Sequence, residues 1–163
     1  MMTIAEKYKE EGHALGICER VYNALGRDTT RRELIEQWLA ELEFCLQKGW
    51  PSAERVKEDF GDLIHDYNVF VDESVQVDNV ENVVLNGKCK ALLRYGNHTG
   101  RVFARHNSEL EVEVSGIGRA FISIYDDANV KVKVGKYAKA FVYRHGRGKV
   151  ESEGNVMVRE RAE

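Results

Sequence analysis

Three histidines, His98, His106 and His145, are the side chains best suited to proton transfer or metal ligation in this chain. Each lies at or beside a cluster of glycine, asparagine or aspartate that marks a chain corner. They fall one per decad, on different corners, and read as surface corner residues rather than as a catalytic set. His13 and Cys18 are five apart, which is not one helix face, and no third ligand has zinc spacing. Asp126-Asp127 looks like a cation-binding pair, but a type I corner uses the same residues. The repeated glycine-aspartate series of calcium-binding solenoids is lacking. Arg27, Arg31 and Arg32 cluster at a helix start and are diluted by Glu33 and Glu36, as on a solvated face. No phosphate loop, nucleophile elbow or dinucleotide fingerprint occurs. The expectation is therefore no catalytic, cofactor or metal site, and no enzymatic activity. Recognition chemistry remains, in a series of aromatic and basic residues: Arg101, Phe103, Phe121, Tyr125, Phe141 and Tyr143.

That series belongs to a repeat. From Ala91 to Glu160 the chain repeats every ten residues, as in SELEVEV (108–114), GRAFISI (118–124), ANVKVKV (128–134) and AKAFVYR (138–144). Leu92, Val102, Val112, Ile122, Val132 and Val142 form a central aliphatic column. Small residues follow the corners at Ser108, Gly118, Ala128, Ala138 and Gly148. Alternate decads differ in their outward residues. One set carries Glu111, Glu113, Lys131, Lys133, Glu151 and Glu153; the other carries the aromatic and arginine series. An antiparallel meander has one outward face and does not explain the alternation. A solenoid with two strands per coil does, because successive decads then lie on different faces. The reading favoured is a β-solenoid of about four 20-residue coils over 91–163, with the antiparallel meander as the alternative. Residues twenty apart should stack about 4.8 Å from each other, which makes Glu111, Lys131 and Glu151 a ladder of alternating sign. Ser152, Gly154 and the charged run from Arg159 read as a C-terminal stop.

The first 66 residues are patterned as helix, which makes the fold class α+β. Thr3 with Glu6 and Thr30 with Glu33 are capping boxes, and Pro51-Ser52 opens a third segment. Three short amphipathic helices are predicted: one from Ile4 to Leu25, one ending at Gly49, and one through Val56 and Phe60. Residues 67–90 are expected to form an irregular β segment, with Asn86-Gly87 as a turn. Three short helices cannot bury their apolar faces alone. They are expected either to fold back over the aromatic face of the repeat or to cap one end.

Bulk properties narrow the function classes. The net charge of −3 gives no drive toward nucleic acid or an anionic membrane. No apolar run is long enough to span a bilayer, and the N-terminus reaches charge at once, without the apolar stretch of a secretory signal. Three cysteines without metal spacing read as reduced thiols of a cytoplasmic protein.

In Cys18-Glu-Arg, Phe44-Cys45 and Trp50-Pro51-Ser52 the chain resembles a group of small uncharacterised proteins of gut Bacteroidales and their phages and mobile elements. The tail adds Leu92-Leu-Arg-Tyr-Gly, Val102-Phe-Ala-Arg-His-Asn and Ala120-Phe-Ile-Ser-Ile-Tyr-Asp-Asp-Ala to the likeness. The resemblance implies a host-associated or phage-encoded cytoplasmic protein and carries no activity with it. Two roles are thus expected to compete. One is a non-enzymatic module that binds a protein partner through a rigid solenoid face. The other is a structural protein that self-assembles, as a homodimer or polymer, through a solenoid face or its ends.

Overall fold

A computed structural model describes residues 1–161. The chain forms two compact units, Met1–Ile64 and His65–Glu163.

Among the described residues the first unit holds five α-helices rather than three: α1 (Ile4–Leu15), α2 (Glu19–Ala24), α3 (Arg31–Ala40), α4 (Leu42–Gln47) and α5 (Ala53–Phe60). Both predicted capping boxes form, at Thr3/Glu6 and Thr30/Glu33. The first expected helix is split because Gly16 takes a left-handed conformation (φ 95°) and closes α1. The second is split at Glu41, whose backbone leaves the helical region (φ −113°, ψ 31°). Ser52 caps α5 by accepting the Arg55 N–H. Ile35, Val56, Val21 and Cys45 are buried, with Trp38 and Phe60 stacked at 6.5 Å. Arg55 links α5 to α1 by pairing with Glu11 and, within α5, with Asp59. Glu11 also accepts from the Trp50 indole at 3.1 Å, and Asp59 from the Tyr8 hydroxyl at 2.8 Å. Burial pushes the Glu11 carboxyl up, but the Arg55 and Trp50 hydrogen bonds outweigh it and hold Glu11 below its usual range. This cluster ties α1 to α5 and to Trp50.

The second unit is a parallel β-solenoid of about five turns, with two strands per coil. Its strands are β1 (Val69–Val71), β2 (Ser74–Asp78), β3 (Asn82–Asn86), β4 (Lys90–Gly96), β5 (Thr99–Ala104), β6 (Glu109–Ser115), β7 (Arg119–Ile124), β8 (Asn129–Val134), β9 (Lys139–Arg144), β10 (Val150–Glu153) and β11 (Val156–Glu160). Odd strands make one sheet, β1-β3-β5-β7-β9-β11, and even strands the other, β10-β8-β6-β4-β2. Every pairing is parallel, which excludes the meander.

The twenty-residue period is accurate where it is most visible, as in Val112↔Val132 and Ile122↔Val142. It fails at both ends. Val75 pairs with Ala91 and Val83 with Val102, so the early coils are shorter. Residues 67–90 accordingly belong to the two sheets instead of preceding them. The central column is corrected at its first member: Leu93, not Leu92, points inward opposite Val112 and is fully buried. Leu92 shares the outward column of Glu111 and Lys131. At the other end Val142 pairs with Val158, only sixteen residues on. The run expected as a stop is therefore a further strand, β11. The interior is mostly Val, Leu, Ile and Ala, joined by Cys89 and Tyr95, and each fully buried aliphatic side chain contributes roughly 1.5–3 kcal/mol.

Side chains at the corners bridge successive coils. At one corner Asp72, His106 and Asp126 have positive φ, and at the other Asn79 and Asn97 do. In that conformation each side chain reaches the backbone of an adjacent coil. Asp72 Oδ1 accepts Lys88 N–H (2.8 Å), and Asp126 Oδ2 accepts His106 N–H (3.1 Å). Asn79 Oδ1 accepts Gly96 N–H (2.9 Å), and Asn97 Oδ1 accepts Ile117 N–H (3.0 Å). Asp126 is thus a corner residue, in keeping with the turn chemistry of Asp126-Asp127.

Candidate functional site

Strand alternation and coil register together decide what the odd-numbered sheet shows outward. Two outward columns result. The first is Asn82, Arg101, Phe121, Phe141, Met157; the second is Val84, Phe103, Ser123, Tyr143, Arg159. Five of the six expected face residues (Arg101, Phe103, Phe121, Phe141 and Tyr143) share this surface. Phe121 and Phe141, one coil apart, stack with centroids 5.1 Å apart and planes within 8°. The Arg101 guanidinium lies 6.0 Å from the Phe103 ring, and that of Arg161 lies 5.1 Å from Tyr143. Phe103 is only 9% exposed, whereas Arg101 beside it is exposed, so the open aromatic part of the face begins at Phe121. Phe121, Phe141 and Tyr143 are half-buried, and Met157 is 46% exposed.

Tyr125 is a correction. It is 2% exposed and lies one residue beyond the end of β7, where strand alternation no longer governs direction. Its ring stacks on His145, 4.2 Å away and within 8° of parallel, as part of the corner. Met157 and Arg159 join the face without having been expected there. Their signal is the alternation Val156-Met-Val-Arg, which arrives four residues ahead of the twenty-residue period.

The opposite sheet presents charge. Its outward columns run Gln76, Leu92, Glu111, Lys131, Glu151 and Asp78, Arg94, Glu113, Lys133, Glu153. Arg94 and Glu113 bond at 2.9 Å, and Lys131 and Glu151 lie 3.6 Å apart. A broad trough of about 760 Å³ crosses this sheet, lined in part by Lys90, Glu109, Glu111, Lys131 and Lys149. Its charges alternate and compensate along the columns, and it is a wide-open surface, so it selects no ligand of one sign.

The structure does not bring the histidines together as a set. His98 is exposed. His106 Nδ1 accepts the Gly87 N–H at 2.9 Å, a bond that fixes its neutral form. Burial, reinforced by Arg105, holds the His106 pKa below its ordinary value, while Asp126 and Asp72 act weakly the other way. Cys89 is buried with its Sγ 3.2 Å from the Asn86 carbonyl, and burial pushes the thiol pKa up, away from a reactive thiolate. Among the described residues no group of three or more His, Cys, Asp or Glu is placed to hold a metal ion. Among the same residues no helix is long and apolar enough to cross a membrane. No protein-family model, curated protein or solved structure matches the chain.

Proposed function

We propose that this chain is a non-enzymatic, cytoplasmic binding module that offers the outward face of its odd-numbered sheet to a protein partner. The observation that carries this reading is the in-register stack of Phe121 on Phe141. It is flanked by Tyr143 and Met157 and bordered by Arg101, Arg159 and Arg161, on a surface still partly open to water. Aromatic residues, methionine and arginine are the types enriched at protein interfaces. A hydrogen-bonded sheet holds them in place before binding, so little ordering entropy is lost on association. The net charge of −3 and the compensated ladders opposite argue against nucleic acid as the partner.

Capture from a host lysate by three baits tests the reading: the wild-type chain, Phe141→Lys, and Lys131→Thr on the charged sheet. A protein held by wild type and Lys131→Thr but not by Phe141→Lys supports the assignment. A protein held equally by all three places binding elsewhere.

A further inference from the structure

Charged register partners in the two sheets follow one rule, with one exception among the described residues. Wherever both partners carry charge they are of opposite sign, as in Asp78 with Arg94, Glu111 with Lys131 and Arg144 with Glu160. Arg119 and Lys139 break the rule. They set cation against cation on β7 and β9, about 4.8 Å apart along the solenoid axis, and like charges so placed repel. Both are exposed, and among the described residues neither pairs with a carboxylate. No acid stands on the outward columns of β5, β7, β9 and β11 to compensate them, although the chain as a whole carries −3.

The cation pair lies between two apolar rows. Two residues before it, at the corner, Ile117 and Tyr137 are 72% and 71% exposed. Corners favour glycine, asparagine and aspartate, so turn chemistry accounts for neither side chain. Two residues after it, Phe121 and Phe141 stack half-buried. The order along each strand is thus apolar, cationic, aromatic, repeated one coil apart. Alternate residues of an extended chain recur every ~6.6 Å, so a second extended chain laid along β7 and β9 meets the three rows with apolar, acidic and apolar side chains. The rings of Phe121 and Phe141 face each other and leave no gap for a nucleic-acid base to stack between them, which favours a protein segment over a single strand of nucleic acid.

We propose that Arg119 and Lys139 receive a carboxylate from an extended segment of the partner protein, an Asp or Glu with an apolar residue two positions to either side. The inference rests on the reading that the odd-numbered sheet binds a protein, and adds the chemistry of that protein. A carboxylate between the cations replaces their repulsion with two charge-assisted contacts, while the apolar rows exclude water around it.

Panning a library of random displayed peptides on the wild-type chain tests this. Enriched peptides should carry Asp or Glu between apolar residues two positions away. Synthetic copies should bind Lys139→Glu about tenfold or more weakly than wild type, and should bind wild type less well as NaCl rises. The free protein gives a second readout. Lys139→Glu turns the repulsive rung into an attractive one, so it should raise Tm at low salt, and added NaCl should erase the gain. A variant that melts higher and no longer binds excludes misfolding as the cause of the loss. Enriched peptides without an acid, peptides held equally by Lys139→Glu, or no gain in Tm at low salt overturns the assignment. Phe141→Lys separates this failure from that of the broader reading. Peptides that still lose binding to Phe141→Lys leave the sheet as a protein-binding face, whereas peptides indifferent to both variants remove that reading too. A wild type that enriches no peptide overturns the proposal as well, and retention of a single-stranded thymidine oligonucleotide that Lys139→Glu releases would assign the cations to a phosphate backbone instead.

Discussion

Phe121 and Phe141 lie face to face at 5.1 Å because they are register partners on β7 and β9, twenty residues apart in a coil of that length. The contact is a consequence of coil length, not of local helix or turn geometry. It also divides the face from the core: the neighbouring residues Ile122 and Val142 are fully buried, whereas the two rings are half-buried.

Phe141→Thr should therefore cost about 1 kcal/mol, the worth of one aromatic pair plus some lost burial, and leave the strand signal in circular dichroism unchanged. Collapse of the fold in that variant would assign Phe141 to the core and remove it from any binding face.

Val132→Asp should unfold the second unit, while Lys133→Thr is nearly silent. Val132 is 0% exposed between Val112 and Ser152, and an unpaired carboxylate there costs several kcal/mol. Lys133 is exposed on the outward column, where threonine suits a strand. Thermal melts of the two variants check this, and equal tolerance would reverse the in-out assignment.

Gly148→Ala should destabilise by about 1–3 kcal/mol or more, because a Cβ there would collide with the Ala128 carbonyl oxygen. Gly135→Ala is the matched control: the nearest neighbour of an added methyl group, the Val114 carbonyl oxygen, would be 3.5 Å from it. Denaturant titration should find that control within about 0.5 kcal/mol of wild type.

His106 should make the solenoid sensitive to acid. Only its neutral form accepts the Gly87 N–H at Nδ1, and burial lowers its folded-state pKa below the ordinary 6.5. The unfolded chain thus takes up this proton at higher pH than the folded one. The bond's contribution is complete above about pH 6.5 and is lost as pH falls through the folded value. His106→Asn keeps an acceptor and tolerates the positive φ of 63°, so it should flatten the acid-side loss of stability. His106→Ala should lower stability at neutral pH. An acid profile identical in wild type and His106→Asn would show that another group governs it.

The legible part of the fold was the part with equal coils. From Thr99 to Glu153 each strand recurs after twenty residues, so aliphatic, charged and aromatic columns align in the sequence itself. The early coils are shorter, and the column drifts from Leu93 to its neighbour Leu92, which a fixed period cannot distinguish. The same limit hid β11, because the last turn from Val142 to Val158 is short. Met157 and Arg159 were lost from the site with it. Tyr125 departs from the face for a different reason: two-residue alternation ends where β7 ends, and the next side chain follows the corner. In the helical unit, capping chemistry was readable at Thr3 and Thr30, whereas the interruption at Glu41 has no glycine or proline to announce it.

The whole account rests on residues twenty apart being neighbours across a parallel ladder, and Lys131 with Glu151 measures that most directly. Their charged groups lie 3.6 Å apart, both well exposed, so coupling of roughly 0.2–1 kcal/mol is expected at low salt. A double-mutant cycle, with Lys131 and Glu151 each replaced by threonine singly and together, isolates it. The account predicts favourable coupling of that size which shrinks as NaCl is added. Coupling indistinguishable from zero at low salt would contradict the coil register, and with it the surface on which Phe121, Phe141 and Tyr143 are assembled.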